Sequence, residues 1–365
     1  MTNYQLGQYE NQLIHQVIHM DQAVCYCPEF RATRMMHHYP SRRLQLARAV
    51  YRGEMELTDY IGELNFAGIL SRQGERWQNF RESPEDCTDV TILCREMLLK
   101  KGFHSPGTEA FKQALESGQL SGSVTWNLPV DRTSKKAVLL DRETALGAKA
   151  GEGSLGAYLD KKGIAFVNEA KAELIGFEYF AYGLVEEGTA HLKALIDRYA
   201  AMDIEELYVV SAQAAYMLTA FTGRLGLTVP FEVVYLPERL EAFDLKEKTY
   251  VYGGSFNLRY LMNEETLGRL AASESDVQEP CSQEFTPLLK GNKRINRLTI
   301  WQKPVGAEYR LYHPDGEMQK AIEDDGCADI ERSGADTILV FEPTAYPVLK
   351  RRFGHKNVVY YLEML

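Results

Sequence analysis

A glycine-containing turn, Gly253-Gly254-Ser255, directly follows an apolar run from Thr249 to Tyr252. Backbone N–H groups at such a strand-to-helix turn can cradle a phosphate. A glycine pair is also typical of an ordinary tight turn. A second stretch, Gly151 to Gly156, has the form GxGxxG, and Glu169 or Glu173 follows at the approximate distance of the acidic residue in dinucleotide sites. These glycines are equally typical of a flexible loop, so both stretches stay candidates only.

Six cysteines are the residues that could bind a soft metal: Cys25, Cys27, Cys87, Cys94, Cys281 and Cys327. The N-terminus is polar and lacks the apolar core of a signal peptide, so we expect a cytoplasmic protein with reduced thiols. The candidate metal ligands are Cys25, Cys27, Cys87 and Cys94. Their Cys-x-Cys spacing differs from that of common zinc loops, and buried thiols without a metal are the alternative.

The segment 31–52 is basic and contains no acidic residue, although the formal net charge of the chain is −10. Its arginines are Arg31, Arg34, Arg42, Arg43, Arg48 and Arg52. The acidic balance of the whole chain argues against a general nucleic-acid or anionic-membrane surface. We therefore interpret the segment either as a solvated helix face or as a docking surface for an acidic protein partner.

The elements that would position these residues fall into two kinds, and the first kind is helical. Residues 1–125 carry apolar residues at helical spacing and lack a strand pattern. The predicted helices run from Tyr4 to Ala23, from a capping Ser41 to Tyr51, from Thr88 to Leu99 and from Glu109 to Ser117. The polar, glycine-containing segment 119–135 is predicted to be a linker. No apolar run is long enough to span a membrane.

The second kind is a strand–turn–helix that occurs twice. Leu207 to Val210 is a β-branched run followed by Ser211, a good helix cap, and Thr337 to Phe341 is a similar run followed by Pro343. Other predicted strands are Ala137 to Leu140, Ile164 to Val167, Phe231 to Tyr235 and Thr249 to Tyr252. We therefore predict a multidomain α+β protein in which residues 126–242 and 243–365 form two α/β repeats with small parallel sheets.

The two repeats resemble the cysteine-rich CCG domains of the heterodisulfide reductase-like family of iron–sulfur oxidoreductases. In that family an adjacent cysteine pair before a glycine precedes a Cys-x-x-Cys at the strand–turn–helix. The corresponding positions of the first repeat are Leu174-Ile175-Gly176, Ala212 and Ala215. In the second repeat they are Pro304-Val305-Gly306, Glu342 and Ala345. The frame is similar, and the ligand positions hold other residues.

The helical segment resembles the same family's ferredoxin-like domain, in which two Cys-x2-Cys-x2-Cys-x3-Cys-Pro runs hold two cubane clusters. Cys27 and Cys87 match the last cysteine of each run. The earlier ligand positions are Val17, Met20, Ala23, Trp77, Phe80 and Ser83. The resemblance therefore implies a degenerate member without clusters in this chain. We expect Met20, Trp77 and Phe80 to fill the former cluster volumes.

The resemblance also singles out three polar residues of the second repeat. Ser255 takes the position of a family cysteine, and Arg259 matches a family arginine four residues later. Glu342 and Ser255 offer oxygen atoms that could bind a hard cation. The alternative for Glu342 is a carboxylate that interacts with a helix N-terminus. These three residues are the weak catalytic candidates that the sequence offers.

Three hypotheses about function follow from these residues. The first is a non-catalytic structural or regulatory subunit of an anaerobic electron-transfer complex. Iron–sulfur clusters or flavin would then lie in a partner protein that docks on the basic segment. The second is an enzyme or small-molecule binder that uses the cleft between the α/β repeats. The third is an iron–sulfur electron-transfer subunit whose ligands differ from those assigned above.

Overall fold

The computed structural model describes residues 4–16, 24, 26–73, 87–121, 123–245, 248–271, 302–306 and 316–365. The expected space-filling residues Met20, Trp77 and Phe80 lie outside these ranges, as does Cys25. Among the residues that are described, no helix has both the length and the apolarity that crossing a membrane requires.

Two small β-sheets form the framework of a mixed α/β chain. The strands of the first sheet are β1 (Thr125–Trp126), β2 (Lys136–Asp141), β3 (Ala170–Glu173), β4 (Glu206–Val209) and β5 (Glu232–Tyr235). Their order is β1-β3-β2-β4-β5, and β1 alone is antiparallel to its neighbour. The second sheet is fully parallel, in the order β6 (Thr249–Tyr252), β7 (Thr337–Val340) and β8 (Asn357–Tyr360).

The two sheets share a local arrangement of three parallel strands. In the first sheet β4 lies between β2 and β5, so that Leu207 pairs with Ala137 and Val233. In the second sheet β7 lies between β6 and β8 in the same parallel arrangement. Each central strand leads through a short turn into a helix. The cap predicted for the first turn is confirmed, since the Ser211 hydroxyl accepts a hydrogen bond from the Ala214 N–H.

Helices surround both sheets. Before the first sheet they are α1 (Pro28–Thr33), α2 (Pro40–Tyr51), α3 (Asp59–Phe66), α4 (Cys87–Lys100) and α5 (Pro106–Glu116). Within the first α/β unit they are α6 (Arg142–Gly147), α7 (Glu152–Lys162), α8 (Phe177–Ala181), α9 (Val185–Ala200), α10 (Ala212–Tyr216) and α11 (Leu236–Arg239). In the second unit they are α12 (Glu264–Leu270), α13 (Gly316–Ser333) and α14 (Ala345–Arg352). Two short π-helical turns lie at Met217–Phe221, directly after α10, and at Phe256–Tyr260, shortly after β6.

The first sheet is buried on both faces, because alternate side chains of a strand point to opposite sides. Leu139 and Val209 belong to a core shared with the N-terminal helices. Val138 and Tyr208 belong to a second core shared with the second sheet. The two cores therefore cross the boundaries predicted near residues 125 and 242, and the first sheet lies between the helices and the second sheet.

The strand predicted from Ile164 to Val167 is wrong. Phe166 makes only an isolated bridge to Val130, and β3 begins later, at Ala170. The segment reaches β2 at its end, where the Val167 N–H donates to the Lys136 carbonyl at 2.8 Å. The next position along β2 is taken by a side chain, because the Asn168 amide accepts a hydrogen bond from the Val138 N–H and donates one to the Val138 carbonyl.

Three other predictions differ from the structure. Tyr4 to Ala23 is not one α-helix in its described part, which contains a 3₁₀ turn at Leu6–Tyr9 and a π-helical turn at Gln12–Gln16. Ser41 lies inside the first turn of α2, whose cap is Tyr39. The predicted linker 119–135 contains β1, where Trp126 is buried and donates its indole N–H to the Ala145 carbonyl.

Candidate functional site

The carboxyl ends of the two sheets meet, and this junction is where open α/β sheets usually bind ligands. Tyr361, immediately after β8, donates its hydroxyl to the carbonyl of Val210, immediately after β4, at 2.5 Å. The ring of Tyr361 stacks on Phe341 at a centroid distance of 5.0 Å and an interplanar angle of 9°. The site predicted between the repeats is therefore a packed interface at this point.

Four aliphatic positions that the family resemblance singled out in the first α/β unit are buried in one apolar core. They are Leu174, Ile175, Ala212 and Ala215. Beside them an aromatic cluster joins the two units and consists of Phe177, Tyr216, Phe256 and Tyr260. Within this cluster Phe177 lies 5.1 Å from Phe256, and Tyr216 lies 4.8 Å from Tyr260, both edge to face. Side chains thus occupy the space between the π-helical turn of the second unit and helix α10.

Arg72 covers this aromatic cluster, and sequence reasoning missed it. Its guanidinium carbon lies 3.8 Å from the centroid of the Tyr260 ring, a close cation–π contact. It also donates to the Tyr216 hydroxyl and to the Arg259 carbonyl, at 3.2 and 3.4 Å. Arg72 has a φ angle of 58°, which is uncommon for a residue with a Cβ atom. No local pattern in the sequence indicates contacts so distant along the chain.

The turn predicted to cradle a phosphate is occupied by a side chain of the same protein. The N–H groups of Gly253 and Gly254 both donate to Oε1 of Gln302, at 2.8 and 3.3 Å. The Gln302 side-chain amide in turn donates to the Val251 carbonyl at 2.7 Å. In this structure these N–H groups therefore bind an amide oxygen, and a phosphate at this turn would have to displace the Gln302 side chain.

Ser255, Arg259 and Glu342 do come together, but in a closed interior. Nη2 of Arg259 donates to the Ser255 hydroxyl, and its Nε and Nη1 donate to the carbonyls of Ser71 and Gln302. Glu342 accepts a hydrogen bond from the Thr344 hydroxyl at 3.1 Å. A Cβ atom at Gly254, where φ is +78°, would lie 2.7 Å from Cβ of Glu342. All three candidate side chains are buried.

A group of acidic residues at the end of β2 was not predicted. Asp141 ends β2 and accepts hydrogen bonds from the backbone N–H and the hydroxyl of Thr144, each at 2.9 Å. Both side-chain oxygens of Glu143 and one of Glu178 are buried and accept no hydrogen bond from the described residues. The cation contact of Glu143 is a loose one, 3.5 Å from Arg142 Nη1 to Glu143 Oε1. Polar residues at the carboxyl end of a parallel strand could have been noticed in the sequence.

These carboxyl groups hold protons more tightly than ordinary ones. Burial, the carboxylate of Glu178 and that of Asp141 raise the pKa of Glu143 to about 8. Burial also raises the pKa of Glu178 and of Asp141. In the described part of the chain no three His, Cys, Asp or Glu side chains are grouped so as to hold a metal ion. The arrangement can therefore retain a proton near neutral pH.

Three of the candidate cysteine ligands are described, and each is a buried thiol: Cys27, Cys87 and Cys94. The thiol of Cys27 donates to Oε2 of Glu29 at 3.0 Å, and burial together with this carboxylate raises the Cys27 pKa well above its usual value. Burial raises the pKa of Cys94 to about 12. Cys87 is also buried, and Cys25 lies outside the described residues. These environments favour thiols over thiolates, which are the metal-binding form.

The basic segment is not a uniform surface. Arg43 is buried against Glu29, and Arg31 donates to both carboxylate oxygens of Asp325 in α13, at 2.7 and 3.0 Å. Arg48 donates to the Ile14 carbonyl at 3.3 Å. Arg34 is exposed, and Arg42 is half-buried beside Gln45. The interpretation of segment 31–52 as a solvated helix face is therefore wrong for Arg43, which is buried. The side chain of Arg34 is exposed, and that of Arg42 is partly accessible to solvent.

Comparison with known proteins gives no further assignment. No protein-family model matches the chain, and no curated protein matches it significantly. A functional hypothesis for this chain must therefore rest on its residues and on the geometry described above.

Proposed function

We propose that the chain is a cluster-free structural or regulatory subunit of a cytoplasmic electron-transfer complex of the heterodisulfide reductase type. In this proposal the N-terminal helices correspond to a ferredoxin-like domain, and the two α/β units correspond to CCG-type repeats. The observation that carries the proposal is the packing of Leu174, Ile175, Ala212 and Ala215 into one core beside the aromatic cluster. Buried aliphatic side chains at these positions give stability and cannot bind iron.

The proposal places the redox chemistry in a partner. The described thiols of Cys27 and Cys94 have raised pKa values, which disfavours the thiolate form. A chain of this kind contributes a shaped surface, and the partner contributes iron–sulfur clusters or flavin. The accessible arginines Arg34 and Arg42 supply positive charge on an acidic molecule, which suits docking of an acidic partner.

A second candidate function, a small-molecule binder in the cleft between the units, rests on the proximity of Ser255, Arg259 and Glu342. This trio is polar and buried, as binding sites often are. Its hydrogen bonds, however, are made within the protein, and the adjoining N–H groups are bonded to Gln302. A ligand would have to displace that side chain, so the packed interface favours the structural role.

The experiment is affinity purification of the tagged chain, without oxygen, from the organism that encodes it. We expect a co-purified protein that contains iron and acid-labile sulfide, or flavin. Arg34→Glu combined with Arg42→Glu should reduce its recovery, and more strongly at low salt, because exposed charges are screened within about 8 Å at physiological ionic strength. Arg43 is left intact, because breaking its buried ion pair with Glu29 would destabilise the fold and so imitate a loss of docking.

The matched control combines Arg132→Glu with Arg239→Glu. Both arginines are well exposed on the α/β units, at 70% and 58% of the side chain, and each is paired with a surface glutamate. The control should leave recovery unchanged. Recovery of no iron- or flavin-containing protein, or equal loss in both double variants, would refute the docking proposal.

A further inference from the structure

A pocket of about 370 Å³ opens at the carboxyl end of β3, and its lining includes none of the four rings of the aromatic cluster. Its apolar wall is formed by Leu115, Leu120, Leu174, Ala194 and Leu195. This volume lies within the usual range of small-molecule sites, and the wall suits an apolar ligand body.

One face of helix α9 forms a side of the pocket. His191, Ala194, Leu195 and Arg198 line it, at the three- and four-residue spacing that places side chains on one helix face. The His191 ring is fixed by a contact of 2.9 Å between its Nε2 and the Leu174 carbonyl, and it lies 5.1 Å from the Tyr179 ring.

On its other side the His191 ring lies close to the backbone of Gly176. Gly176 has a φ angle of +103°, and a Cβ atom there would lie 2.7 Å from Cδ2 of His191. A larger residue at position 176 would therefore push the imidazole out of place. The pocket is thus a defined feature of the fold, because its histidine is held from two sides and Leu120, Leu174 and Leu195 of its wall are buried.

The charges of the lining residues favour an anion. Arg198 forms an ion pair with Glu173, and the other oxygen of Glu173 accepts the Tyr199 hydroxyl at 2.9 Å. The Glu173 carboxylate is therefore already compensated. Lys171 is exposed at the rim, and among the described residues its ammonium group has no ion-pair partner. The lining residues carry a net positive charge on a protein whose net charge is −10.

We propose that this pocket binds a small organic anion with an apolar body, of the class of medium-chain monocarboxylates. The carboxylate would lie near Lys171 at the rim, and the hydrocarbon chain would lie against Leu115, Leu174 and Leu195. Such a ligand gains from burial of apolar surface and from one charge pair. This inference does not depend on the proposed structural role of the chain, since the pocket is outside the junction of the two sheets.

The test is isothermal titration calorimetry of the full chain with sodium octanoate as the probe. Octan-1-ol and octylammonium serve as the neutral and cationic comparisons. We expect saturable binding of octanoate that is tighter than binding of either comparison. Lys171→Met, which keeps the length of the side chain and removes its charge, should weaken octanoate binding about fivefold, in line with a single exposed ion pair.

The matched control is Lys193→Met, an exposed lysine of α9 outside the pocket that is paired with Asp197. It should leave binding unchanged. Ala194→Phe should abolish binding by filling the pocket, with circular dichroism verifying the fold. Absence of saturable binding, equal effects of the two lysine variants, or unaltered binding in a folded Ala194→Phe variant would overturn the proposal.

Discussion

Glu143 is a buried carboxyl group that the protein must accommodate at every pH. Its two oxygens accept no hydrogen bond from the described residues, and the acidic neighbours Glu178 and Asp141 outnumber Arg142. Burial and these neighbours raise its pKa to about 8 from the ordinary value of 4.5. The folded protein therefore binds this proton more tightly than the unfolded chain does.

Stability should fall as the pH rises through this window. Between about pH 4.5 and about pH 8 the folded state binds more protons than the unfolded state, so the free energy of unfolding decreases with pH. The slope from one such group approaches about 1.4 kcal/mol per pH unit. Glu143→Gln should remove this contribution, so that the variant gains stability over the natural protein at pH 9 and not at pH 5.

Urea unfolding at both pH values measures the effect. Glu116→Gln is the matched control, because Glu116 is an exposed glutamate at the end of α5. It should shift the unfolding midpoint by similar small amounts at both pH values. If Glu143→Gln also shifted the unfolding midpoint by similar small amounts at both pH values, the conclusion that buried Glu143 is protonated would be wrong.

At the scale of elements, helix α10, which follows β4, carries the two buried alanines Ala212 and Ala215. Ala215 is 2% exposed and packs within the core that contains the aromatic cluster. Because side chains already fill this space, a larger side chain at position 215 has to displace its neighbours. Overpacking a filled core typically costs about 1–3 kcal/mol.

Ala215→Leu should therefore lower the free energy of unfolding by about 2 kcal/mol. Ala220→Leu is the control: Ala220 is exposed in the π-helical turn that follows the same helix, so this change should be nearly neutral. Denaturant unfolding of both variants is the measurement. A neutral or stabilising Ala215→Leu would reveal unfilled space at a former ligand position, contrary to the packing described.

The sequence predicts these elements well where local patterns determine them. The apolar runs that became β2, β4, β5, β6 and β7 are in place, and the Ser211 cap is present, because strand burial and capping depend on neighbouring residues. The Ile164 to Val167 run does not form a strand: only Val167 makes a backbone bond to β2, and the Asn168 side chain takes the next position. Helix α13 was not predicted at all, since few of the residues on its buried face are large and apolar and the segment is rich in charge.

The candidate site was less predictable. Ser255, Arg259 and Glu342 were singled out by their positions in the second repeat, and in the structure Arg259 bonds to Ser255 while Glu342 lies close to the neighbouring Gly254. Gln302 and Arg72 were missed because their partners lie far away in the chain. Contacts of that kind depend on tertiary packing, which no local spacing encodes.

At the scale of the whole molecule, Arg72 connects the three sections of the chain. It belongs to the N-terminal section, its guanidinium donates to Tyr216 of the first α/β unit, and it lies over Tyr260 of the second. Arg72 also donates to the carbonyl of Arg259 and the hydroxyl of Thr88. Because these groups are buried, removing the guanidinium leaves several of them without this donor.

Arg72→Ala should destabilise the protein by about 2–3 kcal/mol, because it leaves buried polar groups without their hydrogen-bond donor and removes the contact with the Tyr260 ring. Arg239→Ala, at an arginine that is 58% exposed and paired with Glu232, should change stability by less than about 1 kcal/mol. Thermal and urea unfolding measure both variants. Equal, small effects would mean that the three sections do not depend on this contact.

The central claim is that this chain has the frame of a cluster-binding family without its clusters. The most direct measurement is iron and acid-labile sulfide per chain, with the visible absorption spectrum, after purification and handling without oxygen. We predict a colourless protein with far less than one iron atom per chain. About four iron atoms and an equal amount of sulfide per chain, the content of one cubane cluster, would contradict the claim and support the iron–sulfur electron-transfer hypothesis instead.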